Sequence, residues 1–143
     1  MWGIFIALIS GMVMSLQGVF NTELTKQTNL WVAAGWAQIT AFAVCAAVWM
    51  ASGREPVSGL WKVDQRYMLL TGVLGAVITI TVVKSMESLG PAKATMLILI
   101  AQMTVSYVIE LFGIFGVDRQ PFSWRKLLGA LIAAGGIVLF QWE

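Results

Sequence analysis

Five apolar runs, each close to the length of a bilayer crossing, take up most of this chain and leave only short polar connections. A helix rises ~1.5 Å per residue, so a hydrocarbon core of ~30 Å asks for about twenty apolar residues. The runs predict spans at about residues 2–20, 30–50, 67–87, 93–115 and 125–141. They are continuous rather than alternating and far longer than a barrel strand of ~10 residues, so helices are expected. The fold class implied is an all-α integral membrane protein: five transmembrane helices in one transmembrane domain over residues 1–143. The residues are 59% hydrophobic and 11% charged, against about 25% charged in a soluble domain. A water-soluble fold of this size must expose a large polar surface. Lipid is therefore the expected solvent.

The residues between the runs agree. Asn29 precedes the second run, Gly90-Pro91 separates the third from the fourth, and Asp118-Arg119-Gln120-Pro121 separates the fourth from the fifth. Proline suits the first turn of a helix, and Ser123 suits a cap on the fifth. Six of the seven tryptophans fall at or near predicted span ends, as in an aromatic belt at the headgroups; Trp36 lies deeper. The first run lacks a basic leading segment and a small-residue cleavage site, so it reads as a retained span rather than a secretory signal. Arg54, Lys62, Arg66, Arg119, Arg125 and Lys126 fall on one side of the bilayer, and Lys26, Lys84 and Lys93 on the other. The expected setting is a bacterial-type cytoplasmic (inner) membrane crossed several times, and that bias predicts the N-terminus cytoplasmic and the C-terminus external.

Several chemistries are left without residues. There is no histidine, and the one cysteine, Cys45, lies within an apolar run. A Cys/His metal centre, a Ser–His–Asp or Cys–His nucleophile and an intrachain disulfide therefore have no basis, and no phosphate-cradling glycine loop is present. No enzyme, cofactor or metal is expected. The net charge of +2, with no basic stripe, gives no nucleic-acid partner.

Polar side chains within the runs are costly in hydrocarbon and mark sites or joints. Gln102, Ser106 and Glu110 recur at steps of four on the fourth run, which keeps them on one slowly drifting helix face. A carboxyl there is suited to a cation or a proton in a water-filled cavity, or else to a packing hydrogen bond near the headgroups. Ser10, Met14, Gln17 and Asn21 form a second face on the first run. Gln17 and Asn21 serve either a substrate path or interhelical hydrogen bonds; Gln38 in the second run reads as interhelical. Lys84 is expected to reach toward the outer headgroups. Glycines and alanines such as Gly18, Gly129 and Ala133 suit close helix packing.

Gln17-x-x-x-Asn21, Ala101-Gln102, Glu110-Leu-Phe-Gly-Ile-Phe-Gly116 with Pro121, and Lys126-Leu-Leu-Gly129-Ala resemble the YdcZ-type family of the drug/metabolite transporter superfamily. Leu89-Gly-Pro-Ala92 and the closing Leu-Gly-Ala-x-x-x-x-x-Gly-x-x-Leu resemble that superfamily's half-repeat. The family pattern has aspartate then histidine where this chain has Glu110-Leu111, and Gly-Gln where it has Ala101-Gln102, so a histidine-assisted proton relay is not carried over. The resemblance implies half of a ten-helix inverted-repeat transporter. An odd number of spans then requires a second chain of opposite orientation: an antiparallel homodimer or a paralogous partner chain. Inversion would bring a partner's Lys84 to the depth of Glu110, an expected intersubunit pair.

The function these features favour is a secondary transporter exporting a small metabolite or amphipathic cation, with proton exchange at Glu110. The competing reading is a non-transporting membrane subunit or scaffold whose polar faces serve packing. Loss of flux or loss of assembly on altering Glu110 separates the two.

Overall fold

A computed structural model of the chain describes residues 2–140 and 142. The predicted end of the fifth span at residue 141, and residues 1 and 143 of the single predicted domain, lie outside them. The described residues form five α-helices: α1 (Trp2–Gln27), α2 (Leu30–Ala51), α3 (Thr71–Leu89), α4 (Pro91–Phe112) and α5 (Trp124–Phe140). Short 3₁₀ turns cover Val57–Lys62, Arg66–Leu70 and Ile114–Gly116, and no strand occurs among the described residues. α1, α2, the segment Arg66–Leu89 and α4 are long and apolar enough to cross a membrane; α5 is a shorter apolar helix of 17 residues.

Helix ends depart from the predicted spans where hydrogen bonding overrides hydropathy. α1 continues to Gln27, beyond the apolar run that stops at residue 20. Glu23 and Lys26 pair across one turn at 2.6 Å, and the Thr22 and Thr25 hydroxyls donate to the carbonyls of Gly18 and Asn21, both at 2.8 Å. The extra two turns are thus polar but internally satisfied. α2 begins where expected, with the Asn29 side chain accepting from the Val32 N–H at 2.9 Å, an N-cap. The third run opens as a 3₁₀ turn, and its α-helix starts at Thr71 rather than residue 67. α4 starts at Pro91, two residues before the predicted boundary, and ends at Phe112 rather than 115. Its stop is Gly113, at φ 66° in the left-handed region, which glycine adopts without the Cβ clash of other residues.

The chain resolves into two compact units, Met1–Ser88 and Leu89–Glu143. In the first, α1 meets α3 at Gly18: a Cβ placed there would stand 2.6 Å from Met86 Cε and 3.3 Å from Val82 Cγ1. Absence of a side chain lets the two helices close, the small-residue logic of membrane packing. α2 meets α3 through the Gln38 amide, which donates to the Thr79 hydroxyl at 3.2 Å. Gly18, Thr22, Ala33, Ala34, Thr79, Val83 and Met86 are the buried residues of this unit.

In the second unit α4 and α5 form a helical hairpin around Gly113–Ser123. The Gln120 N–H donates to the Glu110 carbonyl at 2.8 Å, and the Arg119 Nε–H to the Leu111 carbonyl at 3.2 Å. Both satisfy carbonyls in the last turn of α4 that have no partner within the helix. Burial is scant throughout. Among the described residues only Ala33, Ala34, Val83, Met86 and Ala94 are buried hydrophobics, while Phe42, Ile132 and Leu139 are each about three-quarters exposed. In water such exposed apolar area would drive aggregation; hydrocarbon tails cover it without cost.

Candidate functional site

The residues picked from sequence divide between the two units. In the first, Gln17 and Asn21 sit on α1 and line an open groove whose other wall is α2, with Trp36, Thr40, Val44 and Cys45. Neither side chain has a hydrogen-bond partner among the described residues, so both amides remain available to a ligand or to a neighbouring chain. Gln38, by contrast, is engaged on α3 as an interhelical amide. Lys84 is exposed on α3, without an ion-pair partner among the described residues.

In the second unit Glu110 and Lys126 meet. The Lys126 Nζ lies 2.8 Å from Glu110 Oε2, joining the last turns of α4 to the first turn of α5. Both side chains are about half exposed. Tyr107, one turn before Glu110, completes the corner. Its hydroxyl accepts from the Ser123 N–H at 3.3 Å, and its ring centroid lies 6.0 Å from Lys126 Nζ, within range of a cation–π attraction. Ser123 thus joins the start of α5 to α4 through its backbone N–H, and its carbonyl accepts the Leu127 N–H at 3.1 Å.

The drift of the polar face explains which of its members reach α5. Four residues turn a helix by about 400°, so each step of four rotates the side chain by ~40°. The α4 side toward α5 is drawn by Ile100, Met103, Thr104 and Tyr107. Gln102 lies well round from it, Ser106 nearer, and Glu110 at its edge. Gln102 and Ser106 are accordingly exposed and without hydrogen-bond partners among the described residues, whereas Glu110 is half-buried and paired.

Lys126 and Tyr107 were the residues sequence reasoning missed. In the sequence Lys126 enters the orientation bias and the Lys126-Leu-Leu-Gly129-Ala motif but nothing ties it to Glu110, and nothing singles out Tyr107. The signal that could have found Lys126 is the short connection between the fourth and fifth runs. It folds the first turn of α5 back beside the last turn of α4, where an opposite charge lowers the cost of the carboxylate.

Long apolar helices, almost no buried core and a single interhelical ion pair among the described residues define a multi-pass membrane protein. The chain matches the YdcZ family, described as "Putative inner membrane exporter, YdcZ", over residues 2–139. It belongs to that family, and is a multi-pass protein of the inner membrane. That description is of an exporter, a protein that moves solutes rather than converting them. Searches among curated proteins and among solved structures found no match to the chain.

Proposed function

We propose that this chain is the repeating half of a secondary transporter that exports a small metabolite or amphipathic cation, with proton exchange at Glu110. The observation that carries the reading is the Glu110–Lys126 pair: an acid on a helix long and apolar enough to cross the membrane, held by a cation on the neighbouring helix. Ionisable groups at such positions are expensive and mark solute or proton paths. Family membership supplies the direction, export across the inner membrane. Gln102 and Ser106, unpartnered on the same helix, extend the path from Glu110, and Gln17 and Asn21 supply neutral donors and acceptors in the α1–α2 groove.

In this reading α5 is the fifth span, the N-terminus is cytoplasmic and the C-terminus external. Five spans of fixed direction cannot generate an inverted repeat alone, so the working unit contains a second chain, either an antiparallel copy or a paralogous partner. Inverted-repeat transporters place substrate at the repeat interface near the midplane. The partner's Lys84 would then lie at the depth of Glu110, as a pair across the two chains.

The test is flux through purified protein in liposomes. Glu110→Gln is expected to abolish pH-driven transport while the protein still elutes as one folded species. Undiminished pH-driven transport by Glu110→Gln refutes the role. Loss of assembly with no effect on flux supports a scaffold instead.

A further inference from the structure

Between α4 and α5 lies a partly enclosed cleft of about 180 Å³, lined by Ile100, Met103, Tyr107, Leu127, Leu131 and Ala134 among others. Its wall is apolar except for the Thr104 and Tyr107 hydroxyls. Tyr107 belongs to both the cleft and the charged corner: its ring lines the cleft, and Lys126 Nζ lies 6.0 Å from that ring's centroid. Leu127, next in sequence to Lys126, also lines the cleft. Glu110 and Lys126 do not line the slot themselves, but through Tyr107 and Leu127 it borders the corner where that carboxylate and ammonium lie 2.8 Å apart.

We propose that this corner binds a small zwitterion with an apolar tail, of the α-amino acid kind. The proposal rests on the export reading above and names its substrate class. The ligand's ammonium takes the Glu110 carboxylate, its carboxylate takes the Lys126 ammonium, and its tail enters the α4–α5 cleft.

Charge balance selects this class. A simple cation on Glu110 would displace Lys126 and leave an ammonium unpaired at the edge of the hydrocarbon. A simple anion on Lys126 would strand Glu110 in the same way. A zwitterion exchanges one internal ion pair for two external ones and leaves the site neutral. The titratable groups on elements packed against α4 fit this account: α5 carries only Arg125 and Lys126, and the 3₁₀ turn Ile114–Gly116 carries none. Asp118 and Arg119 lie in the loop between, where the Arg119 Nε is committed to the Leu111 carbonyl. Among the described residues Lys126 is the one lysine paired with the Glu110 carboxylate, so within the chain a ligand's ammonium must replace it. Cleft size bounds the tail. An apolar cavity of ~150 Å³ accommodates benzene, so a slot of about 180 Å³ admits a tail of roughly four to six carbons.

Calorimetric titration of the full chain in lipid nanodiscs tests this with three probes sharing one branched tail: L-leucine, isoamylamine and 4-methylpentanoate. Saturable leucine binding is expected, with each single-charge analogue at least about tenfold weaker. Glu110→Gln and Lys126→Gln are each expected to weaken leucine by a similar factor. Ala134→Leu, which fills the cleft and leaves the pair intact, is expected to weaken leucine as well. The comparison of probes on the unaltered protein does not depend on any variant folding. Absence of leucine binding, or isoamylamine binding as tightly as leucine, overturns the proposal, as does full leucine affinity in Lys126→Gln. Tight isoamylamine binding that Glu110→Gln removes would sink the zwitterion while leaving export at Glu110 standing. Flux that persists in Glu110→Gln would sink the export reading itself.

Discussion

Gln38 on α2 donates its side-chain amide to the Thr79 hydroxyl on α3 at 3.2 Å, and Thr79 passes its own hydrogen to the Gly75 carbonyl at 3.0 Å. The relay ties two apolar helices together with one amide and one hydroxyl. A polar group in hydrocarbon must find a partner, but its alternative partners in the unfolded chain keep the gain small. Gln38→Leu is expected to lower stability by about 0.6 kcal/mol, and by no more than ~1.7. Thr79→Val should cost a similar amount, and the double variant less than the sum, because neither group is then left unpaired. Unfolding in mixed micelles under rising denaturing detergent measures all three.

Close approach at Gly18 makes a size-graded prediction. The atom nearest an added Cβ is Met86 Cε, at 2.6 Å, the free end of a flexible side chain. Gly18→Ala should therefore be near neutral, since the thioether can swing aside and alanine favours helix by up to ~1 kcal/mol. An added Cβ already stands 3.3 Å from Val82 Cγ1, so alanine asks a few tenths of an ångström of Val82, and Gly18→Val, with two further methyl groups, should cost about 1–3 kcal/mol. Met86→Ala added to Gly18→Val should recover part of that loss. Equal stability of Gly18→Val and the parent would mean that α1 and α3 do not meet here.

Gly113 stops α4 at φ 66°, and a Cβ there would lie 3.1 Å from Arg119 Cβ. Gly113→Ala incurs both the left-handed cost of roughly 1–2 kcal/mol and the contact. Gly129, in α5, has open space around it, so Gly129→Ala should be neutral or stabilising. The pair of alanine variants, compared by thermal unfolding in the same lipid, separates backbone strain from a general intolerance of added methyl groups.

Glu110 and Lys126 join α4 to α5 at the edge of the apolar helices, and interhelical polar contacts in membranes contribute ~0.6 kcal/mol on average and ~1.7 at most. A double-mutant cycle of Glu110→Gln and Lys126→Gln is expected to return a coupling energy within about that range. Loss of flux in Glu110→Gln far beyond what so small a change in folding explains would place the pair's importance in transport. A coupling of several kcal/mol would instead make the pair a structural joint.

Much of this arrangement was legible in the sequence. The five helices follow from run length, and the start of α2 from Asn29. What hydropathy could not show were the positions where local bonds carry a helix past its apolar run, as Glu23 and Lys26 do, or where a left-handed residue ends one early, as Gly113 does. The Glu110–Lys126 contact was half legible. Glu110 stood out because a carboxylate in an apolar run is rare. Its companion did not, because Lys126 sits just after a loop, where lysine is ordinary, and only the α4–α5 fold-back makes it a neighbour. Gln17 and Gln38 are the same residue type one helix apart. Only the position of α3 reveals that one is bonded and the other free.

The unequal split of basic residues favours one orientation, and a reporter fused to the C-terminus is expected to lie outside the cytoplasm. Reporter signal on both sides in comparable amounts would favour the antiparallel homodimer over a paralogous partner.

The helices also differ in reach. At ~1.5 Å per residue, the 26 residues of α1 extend about 39 Å and the 17 of α5 about 26 Å. The apolar run of α1 stops at residue 20 and covers about 29 Å, its polar last turns continuing beyond. With α5 as the proposed fifth span, its reach falls only a few ångströms short of that run, a mismatch that costs fractions of a kcal/mol per ångström. On that proposal transport in liposomes is expected to vary with acyl-chain length.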